Sequence, residues 1–247
     1  MNAQDLLKKL ESLGSETCLK TYRRHGIEGD CFGVKFWDLE KIAKEVKKEF
    51  KKNPEPQQRL AEDLWDTHNC DAWHLAMKIL VPALMTQEVA EKWISEFGFC
   101  VFGSVLAQPL VETDWWQEAF WKWSAMTEDN FRALAYNLIS SWLRHCRMKK
   151  IDPVETQCTV SLRDYKKILG TIESEIHTSW NDSRYAMNTA LIAIWGEVPE
   201  LTDQALKTAQ KIGKVHVDHG DTDCKTPDAQ SYILKMVARR EKGKGKK

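Results

Sequence analysis

Helical periodicity returns along nearly the whole of this chain, interrupted only by short polar turns, and that pattern most restricts what the chain can fold into. Asn2 to Leu13 places Leu6, Leu7, Leu10 and Leu13 three and four residues apart and stops at Gly14. Phe36 to Phe50 sets Leu39, Ile42, Ala43, Val46 and Phe50 on one stripe with lysines opposite, then ends in KKNPEP. Further helices are predicted over Gln57 to Trp65, Asp71 to Met85, Gln87 to Phe97, Val101 to Val111, Trp115 to Ser124, Glu128 to Arg144, Asp152 to Glu175, Asp182 to Trp195 and Thr202 to Gly213. A last helix starts near Pro227, whose fixed φ suits a first helical position. Alternation of period two is confined to Val215 and Val217, so strands find little support.

Short turns between helices of about 10 to 20 residues are the grammar of antiparallel helix pairs. Internal similarity narrows this further. FRALAYNLISSWL (Phe131 to Leu143) and SRYAMNTALIAIW (Ser183 to Trp195) each follow a polar turn and set an Arg beside an apolar, Ala-rich helix, and DAWHLAMKILV is a weaker third copy. Repeats of this size imply an all-α solenoid, an α-α superhelix in which each hairpin needs its neighbours to bury its second face. The reading gives one domain over residues 1–238. The basic, Gly-spaced segment RREKGKGKK, 239–247, is expected to be a disordered tail that solubilises the chain or touches nucleic acid.

Composition excludes several function classes. Hydrophobic residues make up 43% and charged residues 29%, as in an ordinary globular protein. Lys+Arg and Asp+Glu are 36 each, so any binding of nucleic acid must come from a local patch and not from a global basic field. No apolar run approaches the roughly 20 residues of a membrane span, and the start lacks a signal-peptide core, so a cytoplasmic protein without a membrane partner is expected. Seven cysteines, scattered and never as C-x-x-C, read as reduced packing residues. No phosphate loop, H-E-x-x-H or G-x-S-x-G is present, and no cofactor is expected.

Three features are candidates for function. Eleven tryptophans, several of them between Trp93 and Trp142, are either core or platforms for stacking on a base. Arg132 and Arg184 stand near the starts of repeated helices, where a cation opposes the helix dipole. In a solenoid they would file along one face and track phosphates, or else pair with Glu128, Asp129 or Asp182. Arg23, Arg24 and Lys35 add positive charge in the first third. The third feature, HVDHGDTDC from His216 to Cys224, gathers metal-ligand types, although an uninterrupted polar loop rarely supplies a tetrahedral site, and capping of the following helix is the simpler role. No metal is assigned.

From TYRRHGIEGDCFGVKFWDLEKIAKEV through LAEDLWDTHNCDAWHLAMKIL and EKWISEFGFCVFGSVL to EDNFRALAYNLI and SRYAMNTALIAI, the chain resembles the HEAT-like-repeat DNA alkylation-repair proteins, the AlkD-type glycosylases. VDHGDTDCKTPDA is similar to a subset of related sequences. The resemblance implies a stack of HEAT-like repeats that holds duplex DNA, alkylated or not, on its concave face. It also implies excision of N3- or N7-alkylated purines, with aromatic faces and one Asp stabilising the oxocarbenium ion. The family's aromatic, followed four residues later by the catalytic Asp, falls on Phe99 and Gly103, so the carboxylate is missing and no catalytic residue is assigned. The family's DNA-contacting Arg matches Arg132, and Tyr22 matches a tyrosine of its N-terminal repeat. The second cleft aromatic falls near Asn188, with Tyr185 and Trp195 as substitutes, and Asp114 is the nearest downstream carboxylate.

These observations predict a DNA-binding face built from Tyr22, Lys35, Phe99, Arg132 and Arg184, with excision weak or absent because one oxocarbenium stabiliser is worth a few kcal/mol. An alternative from another class is a non-catalytic adaptor whose groove takes a protein partner's helix or peptide.

Overall fold

The computed structural model describes residues 1–97, 100–154 and 160–244, with side-chain positions omitted at 100–101 and 240–244. Among the described residues there are thirteen α-helices, two short 3-10 turns and no strand, only a single backbone bridge between Asp30 and Asn69. No described helix is long and apolar enough to cross a membrane.

The chain divides into two compact units, Met1–Trp116 with His219–Asp223, and Gln117–Asp218 with Cys224–Lys247. One domain over 1–238 was expected. In a repeat array each hairpin touches only its neighbours, so no change of composition has to mark such a division.

The first unit contains α1 (Ala3–Leu13), α2 (Glu16–Arg24), α3 (Phe36–Glu49), α4 (Pro54–Trp65), α5 (Cys70–Ile79), α6 (Gln87–Glu96) and α7 (Cys100–Leu110). α4 packs on α5 as its hairpin partner, while α3 packs on α5 and α5 on α7. Contact with the adjacent helix and with the helix two places on builds a two-layered stack from a one-dimensional repeat. Its core is unusually aromatic. Trp65 lies flat on Trp93 at 4.2 Å between centroids and on Trp73 at 4.9 Å, and all three are buried.

The second unit contains α9 (Asp129–Lys149), α10 (Leu162–Glu175), α11 (Asn181–Glu197), α12 (Thr202–Ile212) and α13 (Ala229–Lys244), together with most of α8 (Trp116–Ser124). The same rule recurs: α9 packs on α11 and α11 on α13 in one layer, α10 on α12 in the other.

Local chemistry moved several boundaries. The helix expected from Asp71 to Met85 ends at Ile79, because Leu80 and Val81 are extended ahead of Pro82, as residues before proline prefer to be. The helix expected from Asp152 begins at Leu162, where Ser161 and Asp164 form a reciprocal capping box. α2, nine largely polar residues behind the Ser15 cap, had too few apolar positions to announce itself. α13 carries the helix into the basic segment as far as Lys244, and residues 245–247 lie outside the described part.

Candidate nucleic-acid interface

In the first unit, the buried carboxylate of Asp71, in the first turn of α5, organises the loop that leads into α3. Its oxygens accept the backbone N–H groups of Phe32 (2.7 Å), Gly33 (3.1 Å) and Val34 (3.0 Å). Burial raises the Asp71 pKa, an effect opposed by the three N–H donors and by Tyr22. The loop also fits tightly against the chain beneath it. Gly33 has φ +76°, and a Cβ there would come within 2.6 Å of both Leu19 N and Ser15 O. Anchored in this way, the chain enters α3 with Lys35, Phe36 and Trp37 all exposed.

The second unit repeats the device. Asp129, in the first turn of α9, accepts the backbone N–H groups of Asp182 (3.0 Å) and Ser183 (2.8 Å), and so caps the start of α11 from a neighbouring helix. Trp180, at the N-cap of α11, is 68% exposed, close to the 69% of Trp37. In each unit an acid at the start of one helix holds the chain at, or just before, the start of another, and an exposed tryptophan stands nearby.

The predicted site residues do not come through equally. Tyr22 is buried, and its hydroxyl donates to Val34 O at 2.5 Å within the packing of the first unit. Lys35 is exposed, with no ion pair among the described residues. Phe99 lies outside the described residues. Arg132 pairs with Glu175, a partner from α10 that adjacency in sequence could not suggest, and its side chain is 17% exposed.

Arg184 is engaged by backbone of its own unit. Its guanidinium donates to the carbonyls of His216 (2.8 Å), Ser179 (2.8 Å) and His177 (3.4 Å). Asn181, one helical turn before it, exchanges hydrogen bonds with the backbone of Asp218, and Asn188, one turn after it, donates to Pro227 O at 2.9 Å. One face of α11 is thereby covered by the segment after α12. Asn188 and Trp195, weighed as cleft positions, are buried. Asp228, which lies beyond the His216 to Cys224 loop, caps α13 through Ser231 N at 2.7 Å, and no cluster able to hold a metal occurs among the described residues.

Most of the tryptophans are core: Trp93, Trp116, Trp123 and Trp142 are buried. The sequence reading passed over Trp37, although a signal was available. It sits off the apolar stripe of α3, at the head of the lysine face. Gly103 is buried within α7.

The comparisons bear on what this arrangement serves. A family model described as "DNA alkylation repair enzyme" matches residues 6–233. Uncharacterized protein Lin0241 of Listeria innocua is 28% identical over 233 residues, which cover 92% of this chain and 93% of that protein. Uncharacterized protein Lmo0209 of Listeria monocytogenes matches with the same identity and coverage. A solved structure described as "a new family of proteins related to the HEAT-like repeat DNA glycosylases with affinity for branched DNA structures" superposes with a TM-score of 0.81 at 25% identity, covering 97% of this chain and 95% of that one. The all-α fold is therefore of the HEAT-like repeat kind.

Proposed function

The chain belongs to the DNA alkylation repair enzyme family, and from that premise we propose that it binds branched duplex DNA without excising bases from it. The observation that carries the reading is the match to a protein described by its affinity for branched DNA, which extends over nearly the full length of both chains. Support against excision comes from Gly103. A glycosidic bond to an alkylated purine breaks fastest where a carboxylate meets the developing cation, and here the position is a buried glycine.

The binding groups are the exposed cations and aromatics at the held helix starts, Lys35 and Trp37 in the first unit and Trp180 in the second. Arg132, 17% exposed and paired with Glu175, joins them only if a phosphate takes the place of that carboxylate on its guanidinium.

The test compares a four-way junction with a linear duplex of the same sequences in gel-shift titrations from 50 to 200 mM salt. Binding to the junction is expected to be tighter by about tenfold, or 1.4 kcal/mol, and to weaken steeply with salt. Release of methylpurine from alkylated duplex should stay at background. Equal affinity for both substrates would remove the branch preference. Absence of binding to either at low salt would favour the adaptor reading.

A further inference from the structure

Helix α3 presents a second face that its packing does not use. Leu39, Ile42, Ala43 and Val46 are buried, whereas Trp37, Lys41, Lys44 and Lys48 recur at i, i+4, i+7 and i+11 and are all exposed. Trp37 is 69% exposed and Phe36, beside it, 47%. An aromatic ring left this open forgoes most of the burial that normally places tryptophan inside.

Charge on the helix is sorted by side. Glu40 pairs with Lys78 of α5 at 2.7 Å, Glu45 with Lys9 of α1 at 2.6 Å, and Glu49 with the N-terminal amine at 3.0 Å. The acids are thus engaged on the flanks that meet α1 and α5. On the outward face Lys41 and Lys48 have no ion pair among the described residues, and Lys44 approaches Glu40 only to 4.0 Å. A chain of zero net charge therefore carries a local cationic file, with an exposed indole at its head and Lys35 just before it. Asp38 is the one acid of the first turn.

A ligand that fits this face needs a flat apolar group and a row of anions following it. From Lys41 to Lys48 the rise is about 10 Å, which suits a short run of strand phosphates. A membrane surface would want a broader apolar face than Phe36 and Trp37 provide. Within a duplex the bases are stacked on one another, so an indole can reach one only where pairing is broken.

We propose that this face of α3 holds an unpaired DNA strand, as at the open arm of a branch, with Trp37 stacked on a base and Lys41, Lys44 and Lys48 on the phosphates that follow. The proposal rests on the DNA-binding reading and adds the part of the branch that the first unit grips.

The experiment uses a splayed fork with 2-aminopurine in its unpaired arm, and a fully paired four-way junction as control. The full chain should quench the 2-aminopurine. Trp37→Ala should abolish the quenching and weaken binding to the fork about tenfold, clearly more than it weakens binding to the paired junction, and Trp37→Phe should largely keep both quenching and fork binding. Replacing Lys41, Lys44 and Lys48 by Gln should lower the slope of log affinity against log salt by about 2 on the fork. All these side chains are exposed, so circular dichroism and Tm should match those of the parent. If the parent binds the paired junction but Trp37→Ala treats the fork as the parent does, DNA binding stands and this proposal falls. If the parent binds no DNA, both fall. Binding to phosphatidylserine vesicles in preference to the fork would also overturn it.

Discussion

Single residues in the first unit hold backbone and charge in states that ordinary substitution would upset. Gly33→Ala places a Cβ at φ +76° and within 2.6 Å of two backbone atoms that cannot turn aside. A loss of about 1 to 3 kcal/mol in urea denaturation is expected, and a neutral result would mean that the loop shifts freely. His74 is 3% exposed, its ring lies 4.8 Å from that of Phe36, and Nδ1 has no hydrogen-bond partner among the described residues. Burial, with help from Lys78 and against Glu40, holds its pKa down to about 3, against an ordinary 6.5. The folded state therefore keeps a neutral imidazole that the unfolded chain protonates. The stability associated with it is present above pH 6.5 and is lost as pH falls toward 3, by about 1.4 kcal/mol per pH unit. His74→Phe should flatten that acid limb in denaturation curves taken from pH 7 to pH 4, and an unchanged limb would show that the histidine is not its source.

At the scale of elements, the segment after α12 depends on α11. Arg184, Asn181 and Asn188 hold it through hydrogen bonds to His216, Asp218 and Pro227, along one face of the helix. Arg184→Met should loosen it, so that limited proteolysis cuts between residues 214 and 227 several-fold faster while α11 stays protected. Equal cutting rates would assign the ordering to other contacts. Sequence reading located most helices because their apolar stripes are local: α1, α6, α7, α8 and α12 lie within a residue or two of expectation. It missed α2, whose polar composition leaves almost no stripe, and extended α10 by ten residues toward a capping box it had not weighed. The likeness between FRALAYNLISSWL and SRYAMNTALIAIW was legible, and these segments lie within α9 and α11, which pack on each other.

For the whole molecule, the decisive prediction concerns excision. Gly103→Asp puts a carboxylate into a buried helical position, where an unpaired charge costs several kcal/mol, so a lower Tm and no gain in methylpurine release are expected. Release rising above the parent's would show that the position opens onto the lesion. The sequence by itself determined the all-α class and the HEAT-like repeat, because periodicity and turn spacing are properties of neighbouring residues. It also determined the absence of an Asp at 103. Only the tertiary structure decided which polar groups are free to meet a ligand. Tyr22 is enclosed, Arg184 is tied to carbonyls 5, 7 and 32 residues away, and Arg132 is paired with Glu175, 43 residues on. Trp37 was left in the open at the head of a lysine file. A side chain's availability depends on what folding brings against it, and partners so distant along the chain leave no mark in local pattern.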